Sequence, residues 1–138
     1  MVGKPVYLGA SLTAVISTLA GILGGSGALA PWGIVGGLVA GWTAETVSDG
    51  LYDGALAGLF GAVATVILMG VFSAVSTALT AANVGIAGFV GAYTSTVIAV
   101  MIVPTFAVEG MIIGPLTRYA KTTLQRRPSN GSGKVEET

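Results

Sequence analysis

The chain has 138 residues, of which 9% are charged, whereas soluble domains average about 25%. Six Lys and Arg residues balance six Asp and Glu residues, so there is no basic face for nucleic acid. Cys and His are absent, which excludes thiol catalysis, disulfides, Cys/His metal sites and His-based acid–base chemistry.

The charged residues lie at the ends of long apolar stretches. Residues 5–44 and 54–108 carry no charged side chain. Because a helix needs about 20 apolar residues to cross the hydrocarbon core of a bilayer, each stretch has room for two crossings and a turn. The sequence therefore predicts an all-α, polytopic membrane protein with four transmembrane helices.

The four predicted crossings follow one another with short connections. They lie at about residues 6–25, 29–47, 50–75 and 84–104. Asp49 is expected to cap the third helix and Asn83 the fourth, because both side chains accept hydrogen bonds from free N–H groups. Pro104 is expected to kink the fourth helix. Residues 105–127 then follow as an interfacial segment.

The first crossing also has features of a secretory signal peptide. Lys4 precedes the apolar segment, and Ala28-Leu29-Ala30 matches a cleavage site. However, the apolar segment Val6–Leu23 is longer than the usual stretch of about 7–15 residues, and Pro31 directly follows the cleavage point. We expect the helix to be retained, with cleavage as the alternative.

Basic residues cluster at the two ends of the chain. With four crossings, Lys4 and the basic residues from Arg118 to Lys134 lie on one side, which the positive-inside rule makes cytoplasmic. The chain is thus predicted to be a multi-pass protein of the cell membrane, with a transmembrane domain at 1–127 and a disordered polar tail at 128–138. Four basic residues are expected to meet anionic inner-leaflet lipids. They are Arg118, Lys121, Arg126 and Arg127.

Glycines recur at every fourth residue in the second and third predicted helices. The two glycine rows are Gly33, Gly37, Gly41 and Gly50, Gly54, Gly58. Such a row lets another backbone approach closely, so we predict a glycine zipper in which helices two and three pack against each other. The alternative is that the rows face neighbouring copies and build a homo-oligomer.

Two half-hairpins resemble a known family. GGLVAGW (Gly36–Trp42) is followed, after a short acidic connection, by DGLYDGALAG (Asp49–Gly58). In these motifs the chain resembles a family of small, uncharacterised, Gly-rich membrane proteins common in halophilic archaea. The resemblance implies an archaeal membrane and no particular activity. Size and layout also resemble the small internal membrane proteins of enveloped viruses that infect such archaea.

Glu109 interrupts an otherwise uncharged stretch. Within the bilayer, a charged side chain costs at least about 2.5–3.5 kcal/mol and usually marks an ion or proton path. The hydroxyls of Tyr93, Ser95 and Thr96 would line the same path, with Tyr93 expected to face inward. If the helix ends near Pro104, Glu109 lies among headgroups instead. A buried Glu109 therefore favours transport, and a headgroup-level Glu109 favours a structural role.

Three acidic residues, Glu45, Asp49 and Asp53, are also four residues apart. On one continuous helix they would stack their carboxylates and attract a divalent cation. The interpretation we favour is a solvated connection, and no metal site is predicted.

No catalytic constellation can be assembled from the remaining residues, because there is no nucleophile–base pair, phosphate loop or dinucleotide motif. We therefore predict a protein that is not an enzyme and uses no cofactor. The leading interpretation is a structural or assembly role with self-association through the glycine rows. The alternatives are a small ion or proton channel or transporter subunit that uses Glu109, and an internal membrane protein of an enveloped archaeal virus.

Overall fold

The structure, a computed structural model, describes residues 3–125, and this range folds into helices. The α-helices are α1 (Lys4–Gly24), α2 (Gly33–Thr43), α3 (Val47–Ala81) and α4 (Val84–Gln125), with a 3-10 segment at Ser26–Trp32. The predicted all-α class is confirmed. Three helices, α1, α3 and α4, are long and apolar enough to span a membrane. The predicted tail, together with Arg126 and Arg127, lies outside the described residues.

The first and third helices run parallel to each other. Their contacts pair Gly9 with Ala57, Thr13 with Gly61, Ser17 with Thr65, and Gly21 with Met69. The residue numbers rise together on both helices. Because α1 and α3 point the same way, the chain between them must return along the bundle.

The last two helices form an antiparallel hairpin. Their contacts pair Gly50 with Gly114, Gly54 with Gly110, Gly58 with Phe106, and Gly70 with Gly91. The chain reverses after Ala82, whose backbone is left-handed with a φ of 51°. As a result, the start of α1, the α2–α3 connection and the end of α4 lie at the same end of the bundle.

The return segment between α1 and α3 consists of two different helices. The 3-10 segment has 7 residues and α2 has 11, which together rise roughly 30 Å. This is about the thickness of the hydrocarbon core, so the residues predicted as the second crossing form a broken helix of crossing length. Gly25 turns the chain with a φ of 75°. Pro31 lies within the 3-10 segment and has no N–H to donate.

The N-terminus of α3 differs from the prediction. Thr46, and not Asp49, is its N-cap: Asp49 N donates to Thr46 Oγ1 at 3.1 Å, and Thr46 N donates to Asp49 Oδ2 at 3.1 Å. This capping box starts the helix at Val47 and uses the acidic residue three positions after the cap. The predicted cap of α4 is confirmed, because Ile86 N donates to Asn83 Oδ1 at 3.1 Å.

Both long helices extend beyond their predicted ends. α3 continues to Ala81, past the predicted end of the third crossing at residue 75 and through most of the connection predicted before the fourth. α4 continues through Pro104 and Pro115 to Gln125, so residues 105–125 belong to the same helix as the predicted crossing. Each proline removes only one N–H donor, and residues 106–117 are held by packing against α2 and α3.

Candidate functional site

Three residues of α4, Phe106, Gly110 and Gly114, face both glycine rows and are again four residues apart. Gly33 and Gly58 lie against Phe106, Gly37 and Gly54 against Gly110, and Gly41 and Gly50 against Gly114. The predicted packing of the two rows against each other is therefore corrected, because the nearest atoms to each row belong to α4. Residue spacing creates a smooth row but does not select the helix that covers it.

Glu109 lies on the face of α4 that packs against the beginning of α2. Its carboxylate faces the backbone amides of Gly33 and Ile34, the first two residues of α2. A Cβ at Gly33 would lie 2.6 Å from Glu109 Oε2 and 2.7 Å from Phe106 Cα, so a side chain here would displace the carboxylate or move α2 away from α4. The first N–H groups of a helix have no partner within the helix and carry partial positive charge. Glu109 therefore places its negative charge at the positive end of α2.

One oxygen of the Glu109 carboxylate is a buried hydrogen-bond acceptor whose bonding capacity is not satisfied within residues 3–125. Glu109 Oε2 is buried and makes no hydrogen bond of full geometry within residues 3–125. An isolated ionised oxygen in apolar surroundings is costly unless a proton, a cation or a donor compensates it. The site thus has an acceptor that is available to a small positively charged ligand.

The start of α2 lies well inside the bundle. Gly36, one turn after Gly33, lies against the backbone of Gly9 and the hydroxyl of Thr13. From Lys4 to Thr13, α1 rises roughly 13 Å at about 1.5 Å per residue. Measured along the bundle axis, Glu109 therefore lies more than about 13 Å from the end that carries Lys4. It also lies within α4 and not at the end of this helix.

Two cations of α4, the helix that also carries Glu109, contact the C-terminal end of α2 and the connection that follows it. Lys121 Nζ donates to Trp42 O at 2.7 Å and lies 5.6 Å from the centre of the Trp42 ring. Arg118 donates to Glu45 O in the α2–α3 connection. Isolated helices shorter than about 12–15 residues are marginal in water, and α2 has 11 residues. A carboxylate at its N-terminus and cations near its C-terminus both stabilise it through the helix dipole.

The sequence model of a family of unknown function, DUF5518, matches residues 3–117. The chain belongs to this family. The match supports the predicted membership of an uncharacterised family, while the halophilic archaeal origin and the hairpin motif stay predictions. It includes Glu109 and both glycine rows. No curated protein and no solved structure matches the chain.

In this DUF5518 member, three buried hydroxyls lie between α1 and α3 that the sequence did not single out. Ser17 and Thr65 are fully buried, with their hydroxyl oxygens 2.6 Å apart. Thr13 is also fully buried, and its Oγ1 has no hydrogen-bond partner within the described residues. A signal for them exists: Gly9, Thr13, Ser17 and Gly21 form a row of small residues at a spacing of four.

The hydroxyls predicted to share a path with Glu109 are elsewhere on α4. Tyr93 is 64% exposed and stacks on Phe89, so its expected inward orientation is corrected. Thr96 is exposed and donates to its own helix at Ala92 O, 2.9 Å away. Ser95 packs against α3 at Gly70. Tyr93 and Glu109 are roughly 24 Å apart along the helix axis, so the structure does not bring the predicted path together.

The three acidic residues near the α2–α3 connection also do not form one row. Glu45 lies before α3, Asp49 completes the capping box, and Asp53 lies on α3. Within residues 3–125 there is no group of three or more acidic side chains that could hold a metal ion. α3 starts at Val47, so Glu45 lies outside this helix. The three carboxylates therefore cannot stack along one helix face.

Proposed function

We propose that this protein is a small ion- or proton-translocating membrane protein, as a channel or a transporter subunit, and that Glu109 binds the translocated proton or cation. The observation that supports the proposal is the position of the half-buried Glu109 at the start of α2, where its buried Oε2 has no hydrogen-bond partner among residues 3–125. A carboxylate within a membrane is expensive and is usually retained for ion or proton movement. No catalytic chemistry is part of the proposal.

The broken return segment supplies the second part of the argument. Many transporters place binding sites at discontinuous helices, whose ends within the membrane carry partial charge. Here the ionised Glu109 stabilises the N-terminus of α2, and uptake of a proton or cation removes that stabilisation. Binding of a proton or cation at Glu109 therefore weakens the electrostatic interaction between α4 and the N-terminus of α2.

Flux through the purified protein in liposomes tests this function. We expect wild-type protein to dissipate a proton or monovalent-cation gradient, and Glu109→Gln to reduce the flux to that of protein-free liposomes. The substitution keeps the shape of the side chain and removes its charge. Glu45→Gln is the matched control, because Glu45 is exposed before α3, and its flux is expected to equal that of wild type.

Two results would contradict the proposal. Absence of flux from wild-type protein with full helical content would exclude translocation of the ions tested. Flux that persists in Glu109→Gln would separate translocation from this carboxylate.

A structural or assembly role with self-association is the second candidate. Both glycine rows are covered by α4, so they are not free to join copies. An open position exists instead at Gly88 on α4, where a Cβ would meet no atom of the described residues within 4 Å. This open position supports the second candidate because a helix of another copy could pack there closely. Blue-native electrophoresis that gives monomer alone in mild detergent and in lipid would count against it.

A further inference from the structure

A groove on the outer surface runs between α2 and α4. It has a volume of about 330 Å³ and is lined by Leu38, Val39, Trp42, Thr43 and Thr117. Leu38 is 46% exposed and Trp42 is 56% exposed. In a helix that spans a membrane, such apolar side chains face lipid, so this α2–α4 groove is open to an acyl chain.

Two cations lie at one end of the α2–α4 groove. Lys121 follows Thr117 by one helical turn of α4, and its Nζ lies over the Trp42 ring at 5.6 Å. Arg118 lies at the same end. Both side chains contact neutral carbonyl oxygens, at Trp42 and Glu45. These contacts orient the cations without compensating their positive charge.

We propose that the α2–α4 groove binds a membrane phospholipid with an anionic headgroup. The acyl chain lies along Leu38 and Trp42, and the phosphate lies at Lys121 and Arg118. An apolar groove that ends in two cations is complementary to an amphiphile with a negative head. Trp42 fits this position because the indole ring favours the boundary between hydrocarbon and headgroups. The inference does not depend on translocation through Glu109.

Quenching of Trp42 fluorescence by brominated phospholipids tests this site. Trp32→Phe leaves Trp42 as the single tryptophan, because the chain contains two. We expect brominated phosphatidylglycerol to quench Trp42 with an affinity at least about fivefold higher than brominated phosphatidylcholine, which corresponds to about 1 kcal/mol for a basic residue at the membrane surface.

Substitutions of the cations separate a specific site from general surface charge. Lys121→Gln is expected to remove most of the preference for phosphatidylglycerol, and Lys121→Arg is expected to keep it. Lys4→Gln is the matched control, since Lys4 is an exposed basic residue at the same end of the bundle, on α1. It is expected to leave the preference unchanged.

Three results would overturn the proposal. Equal quenching by the two lipids in the single-tryptophan protein would exclude headgroup selection. A preference that survives Lys121→Gln and Arg118→Gln together would place the selective site elsewhere. Trp42 shielded from both lipids would show that a protein or a second copy occupies the groove. If Lys121→Gln does not fold, Arg118→Gln alone still tests the prediction against Lys4→Gln.

Discussion

Gly54→Ala is expected to lower the free energy of unfolding by about 3 kcal/mol, at the upper end of the usual cost of overpacking. A Cβ at Gly54 would fall on the carbonyl oxygen of Gly110, and Gly114 Cα would lie 3.2 Å away. Both neighbours are backbone, so no rotamer change can relieve the clash and α3 must move away from α4. The loss is measured by titration with SDS in mixed micelles, followed by circular dichroism.

Gly88→Ala is the matched control for this substitution. Gly88 is also in a helix, but a Cβ there would meet no atom within 4 Å in the part of the chain that the structure describes. Alanine is the better helix former by about 0.5–1 kcal/mol, so this variant is expected to be slightly more stable than wild type. If Gly54→Ala and Gly88→Ala had the same effect, the close approach of α3 and α4 at Gly54 and Gly110 would be refuted.

Gly33→Ala is expected to reduce flux as strongly as Glu109→Gln, although it changes no charge. The new Cβ would lie 2.6 Å from Glu109 Oε2 and 2.7 Å from Phe106 Cα. Either the carboxylate leaves the N-terminus of α2, or α2 shifts away from α4. In both cases the Glu109 carboxylate moves away from the N–H groups that it faces. The measurement is the liposome flux assay, run on protein whose helical content matches wild type.

The same assay on Gly88→Ala controls for the effect of adding a methyl group to a helical glycine. Its flux is expected to equal that of wild type. A folded Gly33→Ala protein with full flux would show that the contact between Glu109 and the start of α2 has no part in translocation.

Long apolar helices were predictable because their signal is a run of residues without charge. A helix of crossing length must bury its backbone hydrogen bonds and present apolar side chains to lipid. Residues 54–81 and 84–108 satisfy both conditions over their whole length. The break at Gly33 was not predictable in this way, since apolar residues continue through it. Pro31 is compatible with the first turn of an α-helix, and the structure places it in the 3-10 segment instead.

Helix ends depend on competition between local signals. Thr46 and Asp49 are both good capping residues, and the spacing T-x-x-D favours Thr46 because each side chain then satisfies the other's N–H. The prediction used Asp49 alone. Pro104 was expected to kink the fourth helix ahead of an interfacial segment, but α4 continues through Pro104 and Pro115. Packing of the Phe106–Gly114 face against two glycine rows outweighs the two missing donors.

The candidate site was predictable only in part, because a spacing identifies a face and not its partner. Glu109 stood out as the single charge in an apolar stretch. The contact of Glu109 with the N-terminus of α2 could not be predicted, because it requires knowing where the return segment breaks and how α4 aligns with α2. Thr13, Ser17 and Thr65 were missed because only glycines were considered as small packing residues. In a membrane helix they also serve as small residues in a packing row.

Glu109 lies at the start of α2, and a carbon–nitrogen distance measured in lipid tests this position most directly. Protein labelled with ¹³Cδ-glutamate and ¹⁵N-isoleucine is reconstituted and measured by dipolar recoupling in the solid state. We predict a glutamate–isoleucine pair within about 5 Å, a little longer than a full carboxylate–amide hydrogen bond gives, because the Glu109 carboxylate faces the Ile34 amide without full hydrogen-bond geometry. This pair, Glu109 with Ile34, should disappear in Glu109→Gln and also in Ile34→Val, which separates it from pairs with Ile112 and Ile113 on the same helix. Absence of a pair within about 5 Å, or a close pair that persists in either variant, would contradict the predicted position of Glu109.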